Sequence, residues 1–443
     1  MRKQLCFVRW PQTDEWLNPA SARVFRSRRL KIMHLSKLAF YLGAALSAVT
    51  TRGNAQSLEV RSPKAQLSIT YAPSDGAISS TPAAFVYITS TPANSSTSEI
   101  IAYTAALNGK LSPITGTPFP ENVASMAVNG KYLMASSQAS PDINAYTIES
   151  NGSLTYAAST NYAKYNDPGS DCGNAGQVFF DHTGATLYVQ EFNASSACAN
   201  TGIASFTVEK STGDLSYLSF VNTGAFPGNS LAASFIGNNV YAYTADDSAC
   251  MYWEFYGFSR SSNGLLNYLA MNYNLPTPPS TFSTYLPNQA AADPTNHVAF
   301  SMAPADPPGC ASGPLQLATY TVDASGNLDT TNTYADMPAT SIATVYDMKM
   351  APSGKLLAVA GQEGLQIFHF NGASPITKYT GLLTTEPINQ MFWDNNSHLY
   401  AISQSSGKLF VFTITPTSHE EAPGSPHAIS SPNNIIIQPL PRN

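Results

Sequence analysis

A short aromatic phrase recurs seven times along this chain of 443 residues and constrains its fold more than any other feature. Each copy has a small or apolar residue, an aromatic residue, then Thr, Ser or His, and usually a further apolar residue. The aromatic members lie 43 to 62 residues apart, at Tyr103, Tyr146, Phe206, Phe258, Tyr320, Phe368 and Phe412. Strand-forming repeats of about this length indicate a β-propeller, in which each unit must stack on its neighbours to bury its faces.

Each copy of the phrase is the third strand of a predicted four-strand unit. Two apolar runs precede it, and a fourth strand follows after a tight turn. Six of these turns contain a glycine, at Gly109, Gly152, Gly213, Gly264, Gly326 and Gly372. Glycine supplies the positive φ that such hairpins need. Charged residues make up only 11% of the chain, which suits short strands and turns rather than long surface helices.

The first unit lacks its innermost strand, and an isolated apolar segment at 434–439 predicts the missing one. Its pairing with the first unit would close the ring and remove the exposed sheet edges of an open array. The predicted fold class is therefore all-β, a seven-bladed propeller of four-stranded antiparallel blades spanning 84–443. Segments 161–176 and 275–288 are predicted to be loops between blades.

Residues 1–55 predict a leader and a signal peptide rather than part of the fold. Basic residues precede an apolar run at 38–49, and small residues at Gly53 and Ala55 predict cleavage before Gln56. The run is short for a membrane span, although an uncleaved anchor is the alternative. The true start of the protein is expected at Met33. Residues 56–83 are expected to form a tail, and the mature protein is expected outside the cytoplasm as a monomer.

Charge and cysteine content fit an exported protein that does not bind nucleic acid. Without residues 1–55 the chain has 12 basic and 26 acidic side chains, a net charge of −14, which repels phosphate backbones. Four cysteines remain, Cys172, Cys198, Cys250 and Cys310. Their even number predicts two disulfides. The pairs Cys172–Cys198 and Cys250–Cys310 are feasible, and Cys198–Cys250 is an alternative; their scattered spacing does not suit zinc.

Several segments together resemble the YVTN and lactonase-like (6-phosphogluconolactonase-like) propellers, many of them secreted. The resemblance rests on residues 109–119, 130–134, 143–148 and 151–154, and on the late Gly-Ser-Pro-His copy at 424–427. It extends over roughly residues 84–440. It implies the propeller fold, and it suggests hydrolysis of lactones as one activity among several found in such proteins.

The loops that follow each second strand should meet on one face of the propeller, together with the loops between blades. They carry a partial ring of acidic, amide and aromatic candidates for ligand binding, namely Glu191, Asn193, Asp246, Asp247, Trp253, Asp306, Gln362 and Glu363. Such a ring would suit a glycan, a small molecule, a protein or a calcium ion. A solvated rim that only keeps the protein soluble is the competing interpretation.

Asp347 and Lys349 on an innermost strand are candidates for the central channel, either as a site or as a structural ion pair. The case for catalysis is weaker. His182, His297 and His398 are predicted on the opposite face, and the chain beyond residue 55 contains only Arg61, Arg260 and Arg442 to stabilise an oxyanion. The sequence therefore predicts a binding module without an organic cofactor, with a lactonase acting on a neutral or sugar-derived lactone as the alternative.

Overall fold

The protein is described by a computed structural model that covers residues 82–137, 140–164, 175–191, 201–224, 233–249, 252–306 and 313–441. These residues belong to one compact unit. Among them, no helix combines the length and the hydropathy that crossing a bilayer requires. The leader, the signal peptide, Asn193, the four cysteines and most of the tail lie outside the described residues, so those expectations stay predictions.

The described strands form seven antiparallel sheets, one for each aromatic phrase. Four sheets contain strands β5 to β20 in chain order. They are blade 2, β5 (Val123–Val128), β6 (Tyr132–Ser137), β7 (Asp142–Ile148) and β8 (Leu154–Asn161); blade 3, β9 (Ala175–Phe180), β10 (Thr186–Glu191), β11 (Thr201–Val208) and β12 (Leu215–Gly224); blade 4, β13 (Ser234–Phe235), β14 (Tyr241–Ala249), β15 (Tyr252–Arg260) and β16 (Leu266–Tyr268); and blade 5, β17 (Thr284–Ala292), β18 (His297–Ala305), β19 (Gln316–Val322) and β20 (Leu328–Asp329).

The remaining three sheets complete the ring. They are blade 6, β21 (Val345–Met350), β22 (Leu356–Gly361), β23 (Gly364–Asn371) and β24 (Ser374–Thr384); blade 7, β25 (Gln390–Trp393), β26 (His398–Ser403), β27 (Lys408–Ile414), β28 (His419–Glu421) and β29 (His427–Ala428); and blade 1, β1 (Ala84–Ser90), β2 (Glu99–Ala105), β3 (Leu111–Pro113), β4 (Phe119–Pro120) and β30 (Pro432–Pro439). A 3-10 helix, Tyr162–Lys164, follows blade 2.

The C-terminal strand β30 closes the ring, as predicted. It pairs with β1 in antiparallel register, with Ile437 opposite Val86 and Ile435 opposite Ile88. Ile435 and Ile437 are buried in the core between blades 1 and 7, whereas Ile436 is buried in the core between blades 1 and 2. The alternation of side chains along one strand therefore fastens both neighbouring blades.

The aromatic phrase occupies the third strand of every blade. Six of its seven aromatic members are buried, and only Tyr103 is partly exposed. Each lies opposite a buried apolar residue of the second strand, for example Phe368 opposite Leu357 and Phe412 opposite Leu399. The repeat is thus a cross-strand contact that fills the space between neighbouring sheets.

Glycine turns fasten three of the blades to the one before. The hydroxyls of Tyr87, Tyr188 and Tyr243, all on second strands, donate to the carbonyls of glycines in the next blade's last turn over 2.8–2.9 Å. At Gly152 the φ is +84°, and an added Cβ would lie 2.6 Å from the ring of Phe85. Only glycine combines that backbone conformation with so close an approach.

Side chains of the innermost strands join neighbouring blades around the centre. In each case a side chain of one innermost strand bonds to the backbone of the next. The pairs are Ser125 with Val178 (3.2 Å), Ser234 with Ala292 (2.8 Å), Asp347 with Met391 (2.9 Å), Gln390 with Ile435 (2.7 Å) and Asn434 with Ala124 (2.8 Å). These bonds satisfy backbone groups on sheet edges that no further strand covers.

Both predicted loops contain some regular structure: the segment 161–176 includes the 3-10 helix Tyr162–Lys164 and the first two residues of β9. The segment 275–288 was expected to be loop throughout, but β17 begins at Thr284 and pairs with the end of β18 at Ala305. Buried Tyr285 explains the extension, because its hydroxyl donates to Gln316 over 2.9 Å inside blade 5. The polar and proline-rich composition of the segment gave no sign of this contact.

Candidate functional site

The propeller has two faces with different connections. The turn face carries the turns from first to second strands and from third to fourth strands. The loop face carries the connections from second to third strands and those between blades. The binding candidates from the sequence were all assigned to the loop face, and the histidines at 182, 297 and 398 to the turn face. The strand bounds place those of these positions that are described accordingly.

Glu191 ends β10 at the loop face, but its side chain is only 4% exposed. Tyr162, from the 3-10 helix after blade 2, is also buried. Burial, together with the charge and hydrogen bonding of Glu191, raises the pKa of Tyr162 above its ordinary range. Glu191 therefore packs with Tyr162 between blades 2 and 3 and does not stand on an open rim.

The other acidic candidates of blades 3 to 5 are only partly defined. Asp306 follows β18 and is exposed at the loop face. Asp246 and Asp247 lie in β14, and Trp253 lies in the neighbouring strand β15. The side chains of these three residues are outside the described part of the structure, so their roles stay predictions.

Amide side chains from three blades form a continuous strip on the loop face, called the amide strip below. Gln362 of blade 6 accepts a hydrogen bond from the Tyr346 hydroxyl over 2.6 Å. Asn389 of blade 7 accepts from the backbone N–H of Gln404 over 2.8 Å, and the Gln404 amide donates to Asn433 of blade 1. The N–H of Ile388 donates to the carbonyl of Gly361 over 3.0 Å, and this backbone bond joins the blade 6 part of the strip to the blade 7 part.

The amide strip is accessible and its hydrogen-bonding groups are held in place. Gln362 and Gln404 are exposed, whereas Tyr346, Asn389 and Asn433 are partly exposed. An amide carries both donors and acceptors, so groups that already form one bond can still bond a ligand. The strip therefore presents a row of neutral, directional hydrogen-bonding groups beside an aromatic ring.

Charged groups beside the strip are paired or bonded to backbone. Glu363 accepts hydrogen bonds from the backbone N–H groups of Ala343 and Thr344 over 2.9 and 3.3 Å, which shapes the connection into blade 6. Lys408 pairs with Glu386 over 2.7 Å, and the hydrogen bond from Lys408 lowers the pKa of the Glu386 carboxyl. Lys408 and Glu386 therefore offset each other's charge, whereas Glu363 adds a negative charge beside the strip.

Sequence reasoning missed Tyr346, Asn389 and Asn433. Each lies at the start of an innermost strand or just before it, where the chain enters a blade from the loop face. Aligning the units on the first residue of each innermost strand would have placed them beside Gln362 and Gln404. The search for candidates followed the ends of second strands and overlooked this set.

The channel candidates Asp347 and Lys349 form an ion pair of 3.2 Å. The second oxygen of Asp347 accepts from the Met391 N–H of the next blade. The Lys349 ammonium lies 5.1 Å from the centre of the Phe392 ring. The pair therefore helps to join blades 6 and 7 and also brings a positive charge to the channel wall.

The channel holds a cavity of about 630 Å³ that is lined by the innermost strands of all seven blades. Its lining continues into residues of the turn face, including Asn129, Asp181, His182 and Asn395. The opening of this cavity is thus on the face opposite to the amide strip. A central channel was predicted from the sequence, whereas the face on which it opens was not.

Within the described residues, no group of three or more His, Cys, Asp or Glu side chains is arranged to hold a metal ion. Calcium binding by Asp246 and Asp247 stays a prediction, because those side chains are not described. Arg260 forms an ion pair with buried Asp181 at the turn face, far along the strand from the loop candidates. It therefore does not supply a cation to the amide strip.

No protein-family model matches the chain, and no curated protein matches it either. Solved structures do match. A provisionally named 6-phosphogluconolactonase from Bacteroides uniformis superposes with a TM-score of 0.58 at 14% identity, covering 80% of this chain and 99% of its own. The periplasmic gluconolactonase of Pseudomonas aeruginosa gives 0.57 at 13% identity, covering 81% of this chain and 99% of its own.

The likeness shows a shared fold. This chain has the seven-bladed propeller of the 6-phosphogluconolactonase-like structures, so the resemblance read from its turns and aromatic phrases is confirmed at the level of architecture. At 12–14% identity it transfers no activity, because unrelated functions use the same propeller. Function must be argued from the side chains of the two faces.

Proposed function

We propose that the protein is a binding module that takes a neutral, polyhydroxylated ligand, a glycan, on its loop face. The observation that carries the proposal is the amide strip, in which the Tyr346–Gln362 bond of blade 6 lies next to the hydrogen bonds that link Asn389, Gln404 and Asn433 across blades 7 and 1. Sugar hydroxyls both donate and accept hydrogen bonds, as amides do. Tyr346 adds a flat ring against which the apolar face of a sugar can pack.

The charge around the strip favours a neutral glycan over a phosphorylated one. Lys408, a cation at the start of the neighbouring strand β27, is paired with Glu386, and the chain as a whole has a net charge of −6. An anionic ligand would meet repulsion that no free cation on the strip offsets. If the ligand is instead a protein or a calcium ion on the acidic loops of blades 3 to 5, calorimetric titration should show no binding of neutral oligosaccharides.

Calorimetric titration with neutral xylo-, cello- and malto-oligosaccharides tests the proposal. Gln404→Ala should weaken binding by about tenfold, because one or two hydrogen bonds of about 1 kcal/mol each are lost. Asn263→Ala is the matched control, since this exposed amide lies in the last turn of blade 4 on the turn face. Equal affinity of Gln404→Ala and the native protein, or no binding of any oligosaccharide, would refute the assignment.

Export, two disulfides and a monomeric state belong to the same proposal. A signal peptide cleaved before Gln56 would leave a chain suited to ligands outside the cytoplasm. The intact mass of the exported protein checks this, because cleavage and each disulfide change the mass by fixed amounts. A retained Met1 would refute the leader assignment.

Hydrolysis of a neutral or sugar-derived lactone is the second candidate function. It is supported by the fold shared with proteins that are named lactonases and by no arrangement of side chains described above. Turnover of glucono-δ-lactone, measured for the native protein and for Glu191→Gln and Asp246→Asn, separates the two functions. Turnover that either substitution abolishes would replace the binding proposal with an enzymatic one.

A further inference from the structure

The cavity that opens on the turn face is a second candidate site, separate from the amide strip. Its volume of about 630 Å³ falls within the range of about 300–1,000 Å³ that is typical of pockets for small organic molecules. It is lined by every blade, so its shape depends on the closed ring and not on a single loop.

The mouth of the cavity is held in place by hydrogen bonds between the turns of neighbouring blades. The Asn129 amide donates to the Gly184 carbonyl over 3.0 Å, and Gly130 N–H donates to the Gln438 side chain over 2.8 Å. His182 N–H donates to the Asn239 side chain over 3.1 Å. A mouth fixed in this way loses little conformational entropy when a ligand enters.

The charges along the wall are distributed unevenly. Asp181 has a side chain that is fully buried in its ion pair with Arg260, so its negative charge does not face the cavity. Desolvation is the main reason that the pKa of His182 is lowered, which keeps that ring largely neutral near pH 7. Lys349 is the remaining charged residue of the wall, with 34% of its side chain exposed.

Lys349 presents the positive end of its ion pair to the cavity. Asp347 is only 10% exposed and lies behind the ammonium, where its second oxygen is bonded to the backbone of β25. An ammonium has three N–H donors, of which Asp347 takes one. Beside it is Phe392, whose ring is partly exposed, and half-buried Met350 also lines the cavity.

We propose that this cavity binds a small organic anion, a monocarboxylate with a compact apolar body, which enters from the turn face. Its carboxylate pairs with Lys349, and its apolar part packs on Phe392 and the apolar wall. The site is independent of the glycan site, because the two lie on opposite faces and share no side chain described here.

Benzoate and its neutral analogue benzyl alcohol are suitable probes, with affinities measured by ligand-observed NMR titration. The native protein should prefer benzoate by about tenfold, which corresponds to one partly solvated ion pair. Lys349→Met keeps the side-chain stem and removes the charge, so the preference should vanish. Because that change leaves Asp347 unpaired, the double variant Asp347→Asn with Lys349→Met should give the same result in a fully folded protein.

Asn395→Trp places a large ring at the mouth from an exposed turn position and should weaken the binding of both probes. Gln404→Ala on the loop face should change neither. The proposal is overturned if benzoate does not bind, if its preference survives in both Lys349 variants, or if Asn395→Trp binds benzoate as the native protein does. None of these results bears on oligosaccharide binding to the amide strip.

Discussion

The turn face and the loop face are reached by the same seven sheets, yet they are built in different ways. On the turn face, short turns bond from one blade to the next through Asn129, Asn239 and Gln438. On the loop face of blades 6, 7 and 1, Gln362 accepts from the Tyr346 hydroxyl and Gln404 donates to Asn433, and both glutamines remain accessible. One face therefore holds the ring together, whereas the other presents accessible hydrogen-bonding groups.

The largest effect should come from a turn-face glycine. Gly152→Ala forces a Cβ into the Phe85 ring and also places alanine at a φ of +84°. We expect a loss of about 2–5 kcal/mol in unfolding free energy, about 1–2 from the backbone conformation and about 1–3 from the clash. Chemical denaturation measures this loss of unfolding free energy.

Gly116→Ala is the matched control for that substitution. Gly116 has a similar φ of +89°, but nothing lies within 4 Å of an added Cβ. It should therefore show the backbone cost without the clash. Equal losses for the two variants would show that the contact with Phe85 does not constrain the turn.

An intermediate effect is expected when one amide on each face is removed. Asn129→Ala deletes a bond between blades and leaves the N–H of Tyr132, bonded to it over 2.8 Å, without that acceptor. It should cost about 1–3 kcal/mol. Gln362→Ala on the loop face should change stability by less than about 0.5 kcal/mol. Thermal melting of both variants measures the contrast, and a larger loss for Gln362→Ala would reverse the assignment of the two faces.

The smallest expected effect is on the pH dependence of the unfolding free energy. Burial lowers the pKa of His427, which lies opposite Leu409 near the loop-face end of blade 7. The unfolded chain therefore binds the proton more tightly than the folded protein. The stability that this difference contributes is fully present above about pH 6.5, and it is lost as the pH falls from there through the lowered pKa of His427 in the folded protein. His427→Gln should flatten this decline in unfolding free energy measured between about pH 7 and 5.

Exposed His419, near the turn-face end of the same blade, provides the comparison for His427. His419→Gln should leave the pH dependence of stability as it is in the native protein. If both substitutions flatten the curve equally, burial at the loop-face end is not the cause.

The repeat itself determined the blades in advance. The aromatic phrase fixes a third strand, the glycine turns fix the hairpins that follow, and the row Ile435–Ile437 predicts the closing strand, because these depend on local spacing and alternation. Which loop-face residues would come together was only partly predictable. Glu191 looks like a rim carboxylate in sequence, but it is buried beside Tyr162 because a segment between blades packs against it.

The sequence alone thus determined the class of fold and the number of blades, since both follow from residues close together in the chain, and it identified the closing strand because the first unit lacks one strand and the C-terminus has one to spare. Only the tertiary structure decided that Tyr346, Gln362, Asn389, Gln404 and Asn433 form one strip and that the central cavity opens on the turn face. The strip joins residues up to 87 positions apart, as Tyr346 and Asn433 are, and the cavity lining spans residues 125 to 439. The closed ring brings these residues together in space, and no local sequence pattern predicts which of them will meet.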